Sequence, residues 1–112
     1  MTTFVIRTDD ERDLGFLMFA GHEGDWPPPG ANDCIFSGFP HDPALLDDPR
    51  GRFMMDNKNE EQKAEITYTD EEMTVRVALP SGWAFELRSN EVGNRWTAAR
   101  GDEKIGGTGM FL

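Results

Sequence analysis

Apolar and polar positions alternate with unusual regularity between residues 63 and 100. Ala64, Ile66 and Tyr68 alternate with Glu65, Thr67 and Thr69; Met73, Val75, Val77 and Leu79 alternate with Thr74, Arg76 and Ala78; Trp83, Phe85 and Leu87 alternate with Ala84, Glu86 and Arg88. Short polar segments, Asp70-Glu71-Glu72 and Pro80-Ser81-Gly82, separate the runs. Successive side chains of a strand point to opposite faces, so this period predicts an antiparallel meander with one apolar face. A fourth strand is expected over Arg95–Ala99, after the Ser89–Asn94 loop.

The turns propose a register. Pro80-Ser81-Gly82 suits a three-residue hairpin loop in which Gly82 takes the left-handed position. That places Leu79 opposite Trp83, Val77 opposite Phe85 and Val75 opposite Leu87, with Arg76 facing Glu86 on the polar side. Pairing Tyr68 with Met73 in the preceding hairpin puts Glu65 opposite Arg76, so a Glu65–Arg76–Glu86 ladder is expected across three strands. Each such pair contributes about 0.2–1 kcal/mol, and a one-residue slip would break the ladder and expose the aromatic face.

The N-terminal half alternates less clearly. Thr3–Thr8 and Gly15–Gly21 read as two strands joined by the acidic loop Asp9-Asp10-Glu11-Arg12-Asp13. Successive apolar positions in both suggest burial on two sides or membership of a closed or stacked sheet. Trp26-Pro27-Pro28-Pro29 must be extended at its prolines. Cys34–Gly38 and Arg52–Asp56 are candidates for further short strands. Asp42-Pro43 is a helix start, with Asp at the N-cap and Pro at the first helical position, and Pro49 is expected to end that helix after about two turns. Gly106-Gly107-Thr108-Gly109 reads as a flexible tail whose final Met110-Phe111-Leu112 docks on the body or on a partner. The expected architecture is one mainly β domain over residues 1–112: an antiparallel sheet with the meander at 63–99, additional N-terminal strands and one short helix near 43–48.

Composition sharpens this picture in two respects. Hydrophobic residues make up 38% of the 112 positions, a low share that 8 Phe and 3 Trp offset, because each aromatic ring buries a large area. Acidic residues outnumber basic ones 21 to 11, for a formal net charge of −10. The excess is concentrated in the first 62 residues, which carry 13 Asp/Glu against 5 Lys/Arg. Such a field repels nucleic acid and anionic membranes and attracts basic protein surfaces over about a Debye length. The single cysteine, Cys34, lies in an apolar run and reads as a buried, inert thiol. No secretory leader is evident and the longest apolar run, Phe16–Ala20, is too short to span a bilayer, so a cytoplasmic location is expected.

Reactive chemistry is sparse. Gly21-His22-Glu23-Gly24-Asp25, with His41-Asp42, groups imidazoles and carboxylates but matches no zinc or hydrolase spacing. The glycine run at 106–109 has no helix behind it to bind phosphate. Ser37 and Ser81 lack the strand–turn–helix setting of a nucleophile elbow. No catalytic, cofactor or metal site is therefore assigned. Trp26 is read either as folded back on the sheet or as an exposed anchor for a partner.

The acidic groups carry the remaining question, being either a solubilising surface or a set that converges on a basic partner. The function expected is non-catalytic: binding and antagonism of a protein with a basic surface, with a nucleic-acid-handling complex as the leading case. In size, charge and missing chemistry the chain is similar to small phage-encoded inhibitors such as anti-CRISPR proteins and DNA mimics, an analogy of profile only. Asp9, Asp10, Glu11 and Asp13 would supply long-range attraction, and Trp26 and Phe111 an apolar anchor. An immunity protein or adaptor with one cognate partner is the alternative, followed by a small-ligand binder or enzyme. Neither direct nucleic-acid binding nor a membrane role is expected.

Overall fold

The computed structural model describes residues 2–19, 26–38 and 40–112. In chain order its strands are β1 (Thr2–Arg7), β2 (Asp13–Phe19), β3 (Gly30–Ser37), β4 (Glu61–Tyr68), β5 (Glu72–Ala78), β6 (Ala84–Asn90), β7 (Asn94–Arg100) and β8 (Glu103–Phe111). Between β3 and β4 lie a 3-10 turn at Pro43–Leu46 and the helix α1 (Pro49–Asp56). Each strand pairs antiparallel with its sequence neighbours and β8 returns to β1, closing an up-and-down barrel of eight strands.

The central hairpins adopt the register that their alternation dictates. Val77 faces Phe85, Val75 faces Leu87, Arg76 faces Glu86, Tyr68 faces Met73 and Glu65 faces Arg76. Leu79 N–H donates to the Trp83 carbonyl at 2.9 Å across the turn, where Gly82 has φ +93°. The expected charge ladder forms on one side only. Arg76 pairs with Glu86 at 3.3 Å, while Glu65 makes no ion pair among the described residues. Glu86 is instead shared with Arg88, which also reaches Glu72 at 3.0 Å. An exposed guanidinium gains little from a second carboxylate, and the position already flanked by Arg88 wins.

Barrel closure explains the near-continuous apolar runs of β1 and β2. Phe4 and Ile6 point inward with Leu17 and Phe19, whereas Val5 and Phe16 form an outward pair. Ile6 pairs with Gly15 and Arg7 with Asp13, leaving Leu14 as an inserted, fully buried bulge residue. An eight-stranded barrel has an interior just wide enough for side chains to fill. Here Phe4, Phe36, Phe85, Leu87 and Trp96 fill it, each at most 1% exposed.

Four expectations are corrected. Pro49 begins a helix instead of ending one: Asp48 caps α1 by accepting from Arg50 N–H at 2.9 Å, and Pro49 needs no hydrogen bond at the first position. Residues 43–46 form only a 3-10 turn, capped by Asp42, and the proposed strand at 52–56 is the body of α1. Fourth, the glycine tail is β8, the strand that closes the barrel. A Cβ at Gly107 would lie 2.1 Å from the Arg7 carbonyl oxygen, and one at Gly109 2.2 Å from the Phe4 ring. These positions are glycine because Trp96 and Phe4 occupy the space that side chains would need. Trp96 Nε1–H then donates to that same Arg7 carbonyl at 2.8 Å.

The connections of an up-and-down barrel alternate between its two ends. The β1–β2, β3–β4, β5–β6 and β7–β8 connections share the helix end. There α1 drops Phe53 into the core against Phe36, Trp83, Phe85 and Trp96, with ring centroids 5.5–6.1 Å apart. The β2–β3, β4–β5 and β6–β7 connections and the end of β8 share the other end, termed the mouth. No described helix is long and apolar enough to cross a membrane.

Candidate partner-binding surface

The β1–β2 loop is short because Thr8 N–H bonds Arg12 O and Glu11 N–H bonds Thr8 O, with Glu11 at φ +65°. That geometry brings the loop acids against arginines of their own chain. Asp9 lies 3.0 Å from Arg95 of β7 and 3.9 Å from Arg50 of α1. Asp10 pairs with Arg12 at 3.0 Å and accepts from the Thr8 hydroxyl. Asp13 pairs with Arg7 at 2.7 Å, and Arg12 continues to Asp42 at 3.3 Å. The Thr8 hydroxyl, aided by Arg12, lowers the Asp10 carboxyl pKa below its ordinary range. Arg50 likewise holds Asp48 at about 2. Of the loop acids only Glu11 makes no ion pair among the described residues. The loop is thus a clamp between strand, helix and 3-10 turn, with most of its negative field compensated internally.

At the mouth the balance is different. Tyr68 O–H donates to the Pro27 carbonyl at 2.6 Å and Asn32 Nδ2 to the Pro28 carbonyl at 2.7 Å, pinning the proline segment to β4 and β3. The pinned backbone sets Trp26 edge-on to Phe111 at 4.6 Å, and Phe111 packs on the inward-facing Phe4 at 5.0 Å. Trp26 remains 51% exposed and Leu112 74% exposed. On the same end lie two hairpin tips, Asp70-Glu71-Glu72 and Asn90-Glu91-Val92, which line one open surface depression without a basic side chain. Glu72 pairs with Arg88, whereas Asp70, Glu71 and Glu91 make no ion pair among the described residues.

The six residues singled out from sequence therefore divide. Trp26 and Phe111 meet at the mouth, both folded onto the barrel and, in Trp26, half open to solvent. Asp9, Asp10, Glu11 and Asp13 lie on a connection at the helix end. Asp70 and Glu71, with Glu72 an acidic cluster evident in the sequence, share this end of the barrel with Trp26, and so does Glu91, which the sequence did not single out. The available signal was topological: alternate turns of a meander fall on the same end, so turns 69–71 and 90–93 share a rim.

Other candidates resolve more simply. Cys34 is 3% exposed and burial pushes its thiol up to about 11, well away from nucleophilic chemistry. Ser81 donates to Asn57 Oδ1 at 2.7 Å, tying the β5–β6 turn to the end of α1. Ser37 closes β3. His41 is exposed, and the His22 loop at 20–25 lies outside the described residues. Among the described residues no group of three or more His, Cys, Asp or Glu is arranged to hold a metal ion. Comparisons with protein-family models, curated proteins and solved structures return no match for this chain.

Proposed function

We propose that this protein is a non-catalytic binder that antagonises a partner with a basic surface, gripping it with the mouth of the barrel. The observation that carries the reading is the half-exposed Trp26 set edge-on to Phe111, at the same end of the barrel as hairpin tips whose Asp70, Glu71 and Glu91 have no internal counter-ion among the described residues. A rigid aromatic centre with a charged rim is the usual anatomy of a protein interface. Proteins that handle nucleic acid carry basic surfaces of the required sign, and blocking one is the inhibitor role, of anti-CRISPR or DNA-mimic kind. Pure phosphate mimicry is less well supported, since the acids at 9–13 are occupied by Arg7, Arg12, Arg50 and Arg95.

The apolar anchor also favours a second reading, a tight immunity-type or adaptor interface with a single cognate protein. Salt separates the two. Affinity capture from the native host lysate, with wild type and Trp26→Ala side by side, is expected to retain a basic protein on wild type and to lose it about tenfold or more on the variant. Release at moderate salt supports the charge-steered antagonist; retention at high salt supports the cognate-partner reading. A capture profile identical for both baits defeats the mouth as the binding surface.

A further inference from the structure

A second surface of the barrel is built on opposite principles. On the outer face of β8, β1 and β2, Met110, Val5 and Phe16 form one cross-strand row. The next row holds Thr3, Met18 and Ile35, and is extended by Leu112, whose N–H donates to the Thr3 carbonyl at 2.9 Å. Phe16 and Met110 are 38% and 40% exposed on either side of the buried Val5, and Phe16 lies in mid-strand where an outward side chain is ordinarily polar. Neither row carries a charge on these strands or on β3. The flanking positions include two closed ion pairs, Arg7–Asp13 at 2.7 Å on one side and Asp33–Lys63 at 2.5 Å on the other, while Glu61 of β4, opposite Ile35, makes no ion pair among the described residues.

We infer that this face of β8–β1–β2–β3 is a self-association surface, and that its occupant is the same face of a second copy of the chain. The proposal is independent of the function proposed for the mouth. Charge decides the occupant. Two molecules of formal charge −10 repel over about a Debye length, and the repulsion is least where they meet through a patch without net charge. A basic partner is drawn instead to the uncompensated acids at the mouth and gains nothing electrostatic from a neutral face. A face of this kind is its own complement under a two-fold axis, and the flexible thioethers of Met18 and Met110 can adjust to a facing sheet about 10 Å away.

The test is sedimentation equilibrium of the full chain from micromolar to submillimolar concentration, at about 0.05 M and about 0.5 M salt. A monomer–dimer equilibrium is expected, and added salt should shift it toward dimer by screening the repulsion. Phe16→Glu should move the midpoint at least about tenfold toward monomer. Thr67→Glu, which adds the same charge on the outward face of β4, should move it far less. Should Phe16→Glu fail to fold, Met18→Lys reads the same face. A chain that stays monomeric throughout overturns the inference. So does a dimer that both substitutions leave intact, or one that dissociates as salt is added.

Discussion

Asp48 shows how much one side chain can settle. Its carboxylate accepts from the Arg50 backbone N–H at 2.9 Å, which starts α1, and holds the Arg50 guanidinium through both oxygens at 2.9 and 3.0 Å. With the folded pKa held at about 2, below the unfolded value, the charged form stabilises the fold. That contribution is complete above the unfolded pKa of about 3.9 and is lost as pH falls through the folded one. Asp48→Asn keeps an acceptor for the cap and loses the ion pair, so it should cost on the order of 1 kcal/mol at neutral pH. Urea titrations should then show the gap from wild type narrowing between about pH 4 and pH 2. A gap that does not change with pH would mean that the interaction is not ionic.

Elements were legible where side chains alternate and obscure where they do not. Across β4, β5 and β6 the alternate side chains from Ala64 to Leu87 enter the core, except Tyr68, which reaches the proline segment, so pattern, turn and register agree and the hairpins could be placed to the residue. β8 has glycine at 106, 107 and 109, so it offers no hydrophobic period to read. Those glycines are fixed by Trp96 across the β7–β8 hairpin and by Phe4 and the β1 backbone, which lie almost the whole chain away. Pro49 is ambiguous taken alone, since the same residue can end one helix or begin the next; here Asp48 before it caps the Arg50 N–H and makes it a start. The helix it begins delivers Phe53, fully buried, to the aromatic centre. Phe53→Ala should cost about 3–5 kcal/mol in urea unfolding, because four packed rings cannot all collapse into the space left. A loss under about 1 kcal/mol would show that α1 is an appendage and not part of the core.

For the whole molecule the sign of charge matters less than where it is compensated. Loop 9–13 has the densest run of acids in the sequence, yet folding places Arg7, Arg12, Arg50 and Arg95 against it. The tips at 70–72 and 91 carry as many acids, four in each set, and keep more of their field. Once a partner is in hand, neutralising Asp70, Glu71 and Glu91 together should slow association several-fold and flatten its salt dependence, with stability within about 0.5 kcal/mol of wild type. Neutralising Asp9, Asp10 and Asp13 should change association less and lower stability, since it leaves Arg7 and Arg95 without their ion-pair partners. Stopped-flow association and urea unfolding on the two triple variants separate these outcomes. The reverse ranking would return the binding role to the β1–β2 loop.

Local chemistry was enough to specify the mainly β class, the central meander and its register, the buried thiol of Cys34 and the net charge. Each follows from residues near one another in sequence, through side-chain alternation, turn geometry or simple summation. Closure of the barrel, the strand role of the glycine run and the meeting of Trp26 with Phe111 were decided by contacts between distant segments. So was the distinction between an acid that faces solvent and one that faces an arginine. A carboxylate's field depends on what stands opposite it, and only the folded chain determines that.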